Sequence, residues 1–160
     1  MIVTPEEFAH IRRQAEAEYP NECCGVVLVR EGSPGDRLLV PCRNVQDEYH
    51  ARDPENYPRT SRTAYKMDGQ EVLKFLRRES EGYSLRVIYH SHIDAGAYFS
   101  ETDKMIAVGQ SGPLAGKPLY PDATYVVLSV VEGKVAGAAA FAWDDSKQDF
   151  LPGELAELPL

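Results

Sequence analysis

Residues 84–92, SLRVIYHSH, impose the tightest constraint on this chain. They form an apolar, partly β-branched run that reads as a strand over Ser84–Tyr89 and leads straight into two histidines. Only a Gly-containing loop separates that strand from a helix expected over about Ser100–Val108. A strand that gives way so soon to a helix needs other strands beside it, and the chain supplies them. The run CCGVVLV at Cys23–Val29 is short, apolar and β-branched, and the turn-rich GSPGD at 32–36 makes it one arm of a hairpin whose second strand covers Arg37–Pro41. Two further runs, Thr124–Val131 and Val135–Trp143, are joined through Glu132 and Gly133.

Helices are expected between these strands. Thr4 precedes Pro5 as an N-cap, and Phe8, Ile11 and Ala15 recur at helical spacing until Pro20 ends the segment. Asp68 is placed to cap a second helix over Gly69–Glu81, with Val72, Leu73, Phe75 and Leu76 on its buried side. A short strand is expected over Thr63–Met67. Residues 44–63 carry Pro54, Pro58 and many charges without a period, which reads as a long loop. The pattern is α/β (α+β): one domain with a mixed sheet flanked by helices.

Charge and cysteine usage narrow the function. Seventeen basic residues against twenty-five acidic ones give a net charge of −8, a poor match to a nucleic-acid backbone. The three cysteines, Cys23, Cys24 and Cys42, form neither a disulfide framework nor paired CxxC units, so a reducing compartment is expected and a metal, if any, is held by other residues. The start MIVTPEEFAHIRR has no secretory pattern, and no apolar run approaches the roughly 18 residues of a membrane span, so a cytoplasmic protein without a membrane partner is expected. Oligomeric state has no signature here.

The stretch HSHIDAGAYFSETD, residues 90–103, carries the chemistry. Histidines two residues apart on a strand or at its end point to the same side, so both imidazoles can reach one ion. Asp103 lies eleven residues after His92, far enough for the loop to bring the helix start back to the strand end. Two imidazoles and a carboxylate suit a catalytic zinc that keeps its fourth position for water. Bland readings stand beside this one. A surface HxH often carries no function, and Ser100 followed three residues later by an acid is also a capping arrangement.

The spacing His90-Ser91-His92, seven residues, Ser100, two residues, Asp103 resembles the HxH–x7–SxxD signature of the JAMM, or MPN-plus, zinc metalloproteases. Glu22 in PNECCG resembles the acidic residue found upstream in that family, and YPDATYVVLSV at 120–130 is similar to its later core strand. The resemblance implies an MPN, cytidine-deaminase-like domain over 1–145 with a C-terminal tail at 146–160. It implies one zinc on His90, His92 and Asp103, Glu22 as general acid/base and Ser100 as a stabiliser of the oxyanion. Its substrates would be peptide or isopeptide bonds at the Gly-Gly C-terminus of a ubiquitin-like or, as in small stand-alone prokaryotic members, a sulfur-carrier protein. Non-catalytic scaffolds of the same fold lack the ligands that are all present here, and a DNA-repair-associated relative fits poorly with the acidic charge. One departure is Ile93, where the family usually has Pro; it is expected to alter substrate fit more than metal binding.

Overall fold

The computed structural model describes residues 1–155. Its centre is a six-stranded mixed sheet in the order β2-β1-β3-β4-β5-β6, built from β1 (Cys24–Arg30), β2 (Ser33–Cys42), β3 (Tyr83–Ile93), β4 (Thr124–Val131), β5 (Lys134–Asp144) and β6 (Asp149–Gly153). Only β3 and β4 run parallel, and parallel neighbours need a crossover connection in place of a hairpin. That connection contains α4 (Glu101–Ala107).

Both faces of the sheet are covered, which is why β1 and β4 read as nearly unbroken apolar runs instead of alternating ones. On one face α1 (Pro5–Glu18) lays Phe8, Ile11 and Ala15 against Cys23, Val27, Val87, Tyr89, Val126 and Leu128. Its start is fixed by a capping box in which Thr4 and Glu7 satisfy each other's backbone N–H groups. On the other face α3 (Gly69–Leu76) and α4 contribute Phe75 and Ala107 to a core with Cys24, Val26, Leu28, Ile88, Tyr125 and Val127. Gly25 is required by a close approach: a Cβ there would overlap the hydroxyl of Tyr89, which reaches across to donate to Gln14 Oε1 at 2.6 Å.

Several boundaries differ from expectation, each for a local reason. The β1–β2 turn is tighter than GSPGD suggested, because Gly32 takes the left-handed conformation (φ 74°) and lets β2 begin at Ser33. Pro34 is tolerated there because β2 is an edge strand. Residues 44–63 are not all loop, since α2 (Gln46–Arg52) forms with acids in its first turn and His50 and Arg52 in its last. In place of a strand at 63–67 there is a single bridge between Asn44 and Met67. The helix after Asp68, whose carboxylate does accept from Gln70 and Glu71 N–H, ends at Leu76 and tightens into a 3-10 turn over Arg77–Glu81. Within the segment 146–160, expected as a tail, β6 pairs with β5 and buries Phe150 in the core; residues 156–160 lie outside the described residues. Among the described residues no helix is long and apolar enough to cross a membrane.

Candidate metal centre

Strand β3 runs on through both histidines. His90 pairs with Cys24 of β1 and with Val127 of β4, and His92 with Ser129 of β4. Residues directly opposite in adjacent strands share a face, so His90 and His92 lie on the α3/α4 side with Cys24 and Val127, while Tyr89 and the intervening Ser91 face α1. Ser91 is spent on structure: its hydroxyl accepts from Cys23 N–H at 2.8 Å and its own N–H donates to Cys23 O at 3.1 Å. Continuing that pairing by one residue puts Glu22 opposite His92, on the histidines' face. Glu22 is buried, its N–H donating to Ser61 O at 2.8 Å and its carbonyl accepting from Asn44 Nδ2 at 2.9 Å.

Asp103 is delivered by the first turn of α4. Ser100 is the N-cap: its hydroxyl oxygen accepts from Asp103 N–H at 3.0 Å, and Asp103 Oδ2 accepts from Ser100 N–H at 2.9 Å. This capping box holds the carboxylate at the strand, where Asp103 Oδ1 lies 3.2 Å from His90 Nε2 and Oδ2 lies 3.2 Å from His92 Nε2. The two Nε2 atoms are also 3.2 Å apart. All three side chains are buried. Tyr65 stacks on His90 at 4.6 Å, and the ring of Tyr98 meets His92 at 4.8 Å edge-on.

Hydrogen-bond accounting shows what this triangle suits. His92 Nδ1 lies 3.0 Å from Gly96 O, and a carbonyl only accepts, so Nδ1 carries the proton. In the neutral ring Nε2 is then a lone pair facing another imidazole nitrogen and a carboxylate oxygen, and a cation between them would be bound by all three. Ligands about 2.0–2.1 Å from a tetrahedral zinc stand roughly 3.3 Å apart, close to the observed edges. His90, His92 and Asp103 can therefore hold one metal ion, and the donor set fits zinc.

The electrostatics follow from burial. Burial alone would raise the Asp103 carboxyl, but hydrogen bonds from His90 and His92, wherever their Nε2 atoms carry a proton, together with the charge of His90 hold it well below the usual range. Burial also disfavours the charged form of His90, which keeps that ring available as a neutral donor. The Glu22 carboxyl is pushed up to about 9, first by burial and then by Asp103, with Arg59 opposing. A cation held by the three ligands would offset the repulsion from Asp103 and favour ionised Glu22.

Beside the centre lies a cavity of about 670 Å³, mostly apolar, bordering it at Tyr65, Ile88 and Thr102 and extending to Met105, Leu119 and Tyr120. The structure thus brings His90, His92, Ser100 and Asp103 together and sets Glu22 on their face. Sequence reasoning missed Tyr65, Tyr98 and the Gly96 carbonyl. None of these has a local signal, because each meets the histidines only through tertiary packing.

A mixed sheet whose central strand ends in a buried His–His–Asp triangle defines a candidate metal-dependent domain of the JAB type. The sequence matches the family of prokaryotic homologs of the JAB domain over residues 4–145, and the chain belongs to that family. CysO-cysteine peptidases of Mycobacterium tuberculosis (strain ATCC 25618 / H37Rv) and Mycobacterium bovis are 34% identical to it over 122 residues, 76% of this chain and 64% of theirs. The match thus spans less than two thirds of these relatives' length. Among solved structures, a protein of Desulfitobacterium hafniense superposes with a TM-score of 0.61 at 20% identity, covering 97% of this chain and 92% of its own. One from Salinibacter ruber (strain DSM 13855) gives 0.58 at 22% identity, covering 100% and 95%. These two likenesses establish the shared fold.

Proposed function

We propose that this chain is a zinc-dependent metallopeptidase that hydrolyses a peptide or isopeptide bond at the Gly-Gly C-terminus of a ubiquitin-like or sulfur-carrier protein in the cytoplasm. The observation that carries the reading is the triangle of His90 Nε2, His92 Nε2 and Asp103, with edges of 3.2 Å and one lone pair fixed by Gly96. The similarity to CysO-cysteine peptidases favours a sulfur carrier, and the free, buried thiols of Cys23, Cys24 and Cys42 suit a reducing compartment.

His90, His92 and Asp103 hold the ion in this reading, and zinc supplies a Lewis acid and a water of lowered pKa when bound there. Glu22 is not a ligand. It takes the proton from the attacking water and returns it to the departing amine, a role that suits a buried carboxyl whose proton affinity is already raised. Ser100 uses its oxygen as the cap acceptor, and in this reading its O–H donates to the oxyanion. The apolar cavity beside the centre offers an extended carrier tail a dry wall.

The direct test is incubation of the zinc-loaded chain with a sulfur-carrier protein bearing a cysteine on its terminal glycine, followed by mass spectrometry. Release of cysteine that stops on chelation and returns with zinc is expected; an intact adduct with zinc bound would remove this substrate class.

Ser100 separates two roles. If the hydroxyl donates to the oxyanion, Ser100→Ala lowers kcat by roughly 10²-fold, and Ser100→Asp, which still caps the helix, is worse because its charge opposes the developing one. We expect that pattern alongside a stability loss of about 1 kcal/mol in the Ala variant. A stable, active Ser100→Asp would leave Ser100 as a cap alone.

A further inference from the structure

The loop that follows His92 is tied down by a set of bonds that the catalytic reading does not use. Asp94 takes the left-handed conformation (φ 50°), uncommon outside glycine and better tolerated by Asp and Asn than by most residues. Its N–H donates to Val130 O at 2.7 Å, and its Oδ1 accepts from Glu132 N–H at 3.0 Å. One residue on, Ala95 O accepts from the buried Ser129 hydroxyl at 2.6 Å. The next carbonyl, Gly96 O, is the one that accepts from the His92 Nδ1–H. The acceptor that sets the tautomer of His92 is therefore fixed to the end of β4 by three bonds within two residues.

Asp94 also reaches the other side of the centre. Its Oδ2 accepts from Tyr19 Oη and from Arg62 Nη2, each at 3.0 Å. Tyr19 opens the short segment that ends in Glu22. Arg62 adjoins Ser61, whose carbonyl takes the Glu22 N–H. One carboxylate thus joins the segment carrying the proposed base, the segment holding that base's backbone and the loop orienting a proposed ligand. An exposed ion pair such as Asp94–Arg62 contributes little stability by itself, so a network this convergent is better explained by placement than by folding energy.

We propose that Asp94 is a positioning residue, acting with Ser129 through the Gly96 carbonyl to hold the His92 imidazole for the metal and to fix the Glu22 segment against it. The inference rests on the reading of His90, His92 and Asp103 as a zinc site. Outer partners of ligating histidines affect metal affinity by about 10–100-fold when removed, because the ring loses both its tautomer and its aim.

The test titrates the metal-free chain with zinc against a chromophoric chelator and records the cobalt(II) absorption and the metal-free melting curve. Wild type, Asp94→Asn, Asp94→Gly and Ser129→Ala are compared. Gly accepts the left-handed backbone yet lacks the clamp, whereas Asn keeps both the backbone tolerance and an acceptor. Asp94→Gly and Ser129→Ala are expected to bind zinc about 10–100-fold more weakly with an altered cobalt spectrum, while the metal-free melting point of Asp94→Gly stays near that of wild type. Asp94→Asn is expected to recover most of the affinity. Zinc binding by Asp94→Gly as tight as that of wild type, with an unchanged cobalt spectrum, overturns the inference and leaves the zinc site standing. A wild-type chain that takes up no zinc overturns the reading beneath it and the inference as well.

Discussion

Glu22→Gln is expected to lower kcat by roughly 10²–10⁴-fold, the span of general acid–base catalysis, while leaving the proposed zinc site intact and making the metal-free protein more resistant to unfolding at neutral and higher pH. The first effect follows from chemistry, because the amide nearly matches the carboxyl in shape and cannot take a proton from water. The second follows from burial. In the metal-free protein the Glu22 carboxyl is held up at about 9 against an ordinary value of 4.5, so between those values the folded state keeps a proton that the unfolded chain releases. For a carboxyl raised on folding the sign is fixed. The penalty is absent below about pH 4.5 and grows with each pH unit above it by up to about 1.4 kcal/mol, until the folded carboxyl also ionises.

Gln carries no such penalty. The gap in melting temperature between the metal-free variant and metal-free wild type should therefore widen from pH 5 to pH 8 and close near pH 4. Melting curves at these pH values, with turnover measured on the zinc-loaded proteins, check both halves. Near-normal turnover in Glu22→Gln would mean another base operates, and a gap independent of pH would mean that Glu22 is not the buried acid described here. Opposed changes in activity and stability at one residue are what a group retained for chemistry produces.

Much of the fold was legible because its signals are local. Thr4-Pro5 and Asp68 announce helix starts through caps that the structure forms, and the apolar runs at 24–30 and 124–131 announce strands buried on both faces. The juxtaposition at the centre was legible for the same reason. Alternation on β3 fixes the face shared by His90 and His92, and the Ser100-x-x-Asp103 capping box carries the carboxylate to them. What escaped depends on contacts between distant segments. Helix α2 has only Gln46 buried and takes its N-terminal acceptor from the side chain of Asn44, so neither apolar period nor capping residue marks it. Strand β6 became visible only with β5 beside it, since a five-residue segment with a single buried aromatic has little pattern of its own. Ile93 belongs to the same class: the loop beyond it is anchored by Asp94 and Ser129, and Ser129 lies on a strand more than thirty residues away.

His92→Ala should abolish zinc retention and hydrolysis together. Of the three donors, His92 is the one whose lone pair is fixed from outside, by Gly96 O at 3.0 Å, and it stands 3.2 Å from each of the other two. Without it, His90 and Asp103 offer two donors, too few to define a tetrahedral site, and zinc is expected to be lost. The fold should survive. The losses are the contacts with Tyr98, His90 and Asp103 and the donor to Gly96 O, the last a buried polar deficit of about 1–3 kcal/mol. A thermal-shift series separates the two consequences, because a ligand that binds only the folded state raises its melting point, by about 2.7 kcal/mol of stability at a hundredfold excess over Kd. Wild type should therefore rise in melting temperature as zinc is added, while His92→Ala starts slightly lower and does not respond. Full zinc occupancy in His92→Ala would remove His92 from the site, and the Gly96 hydrogen bond would then be no more than a loop anchor.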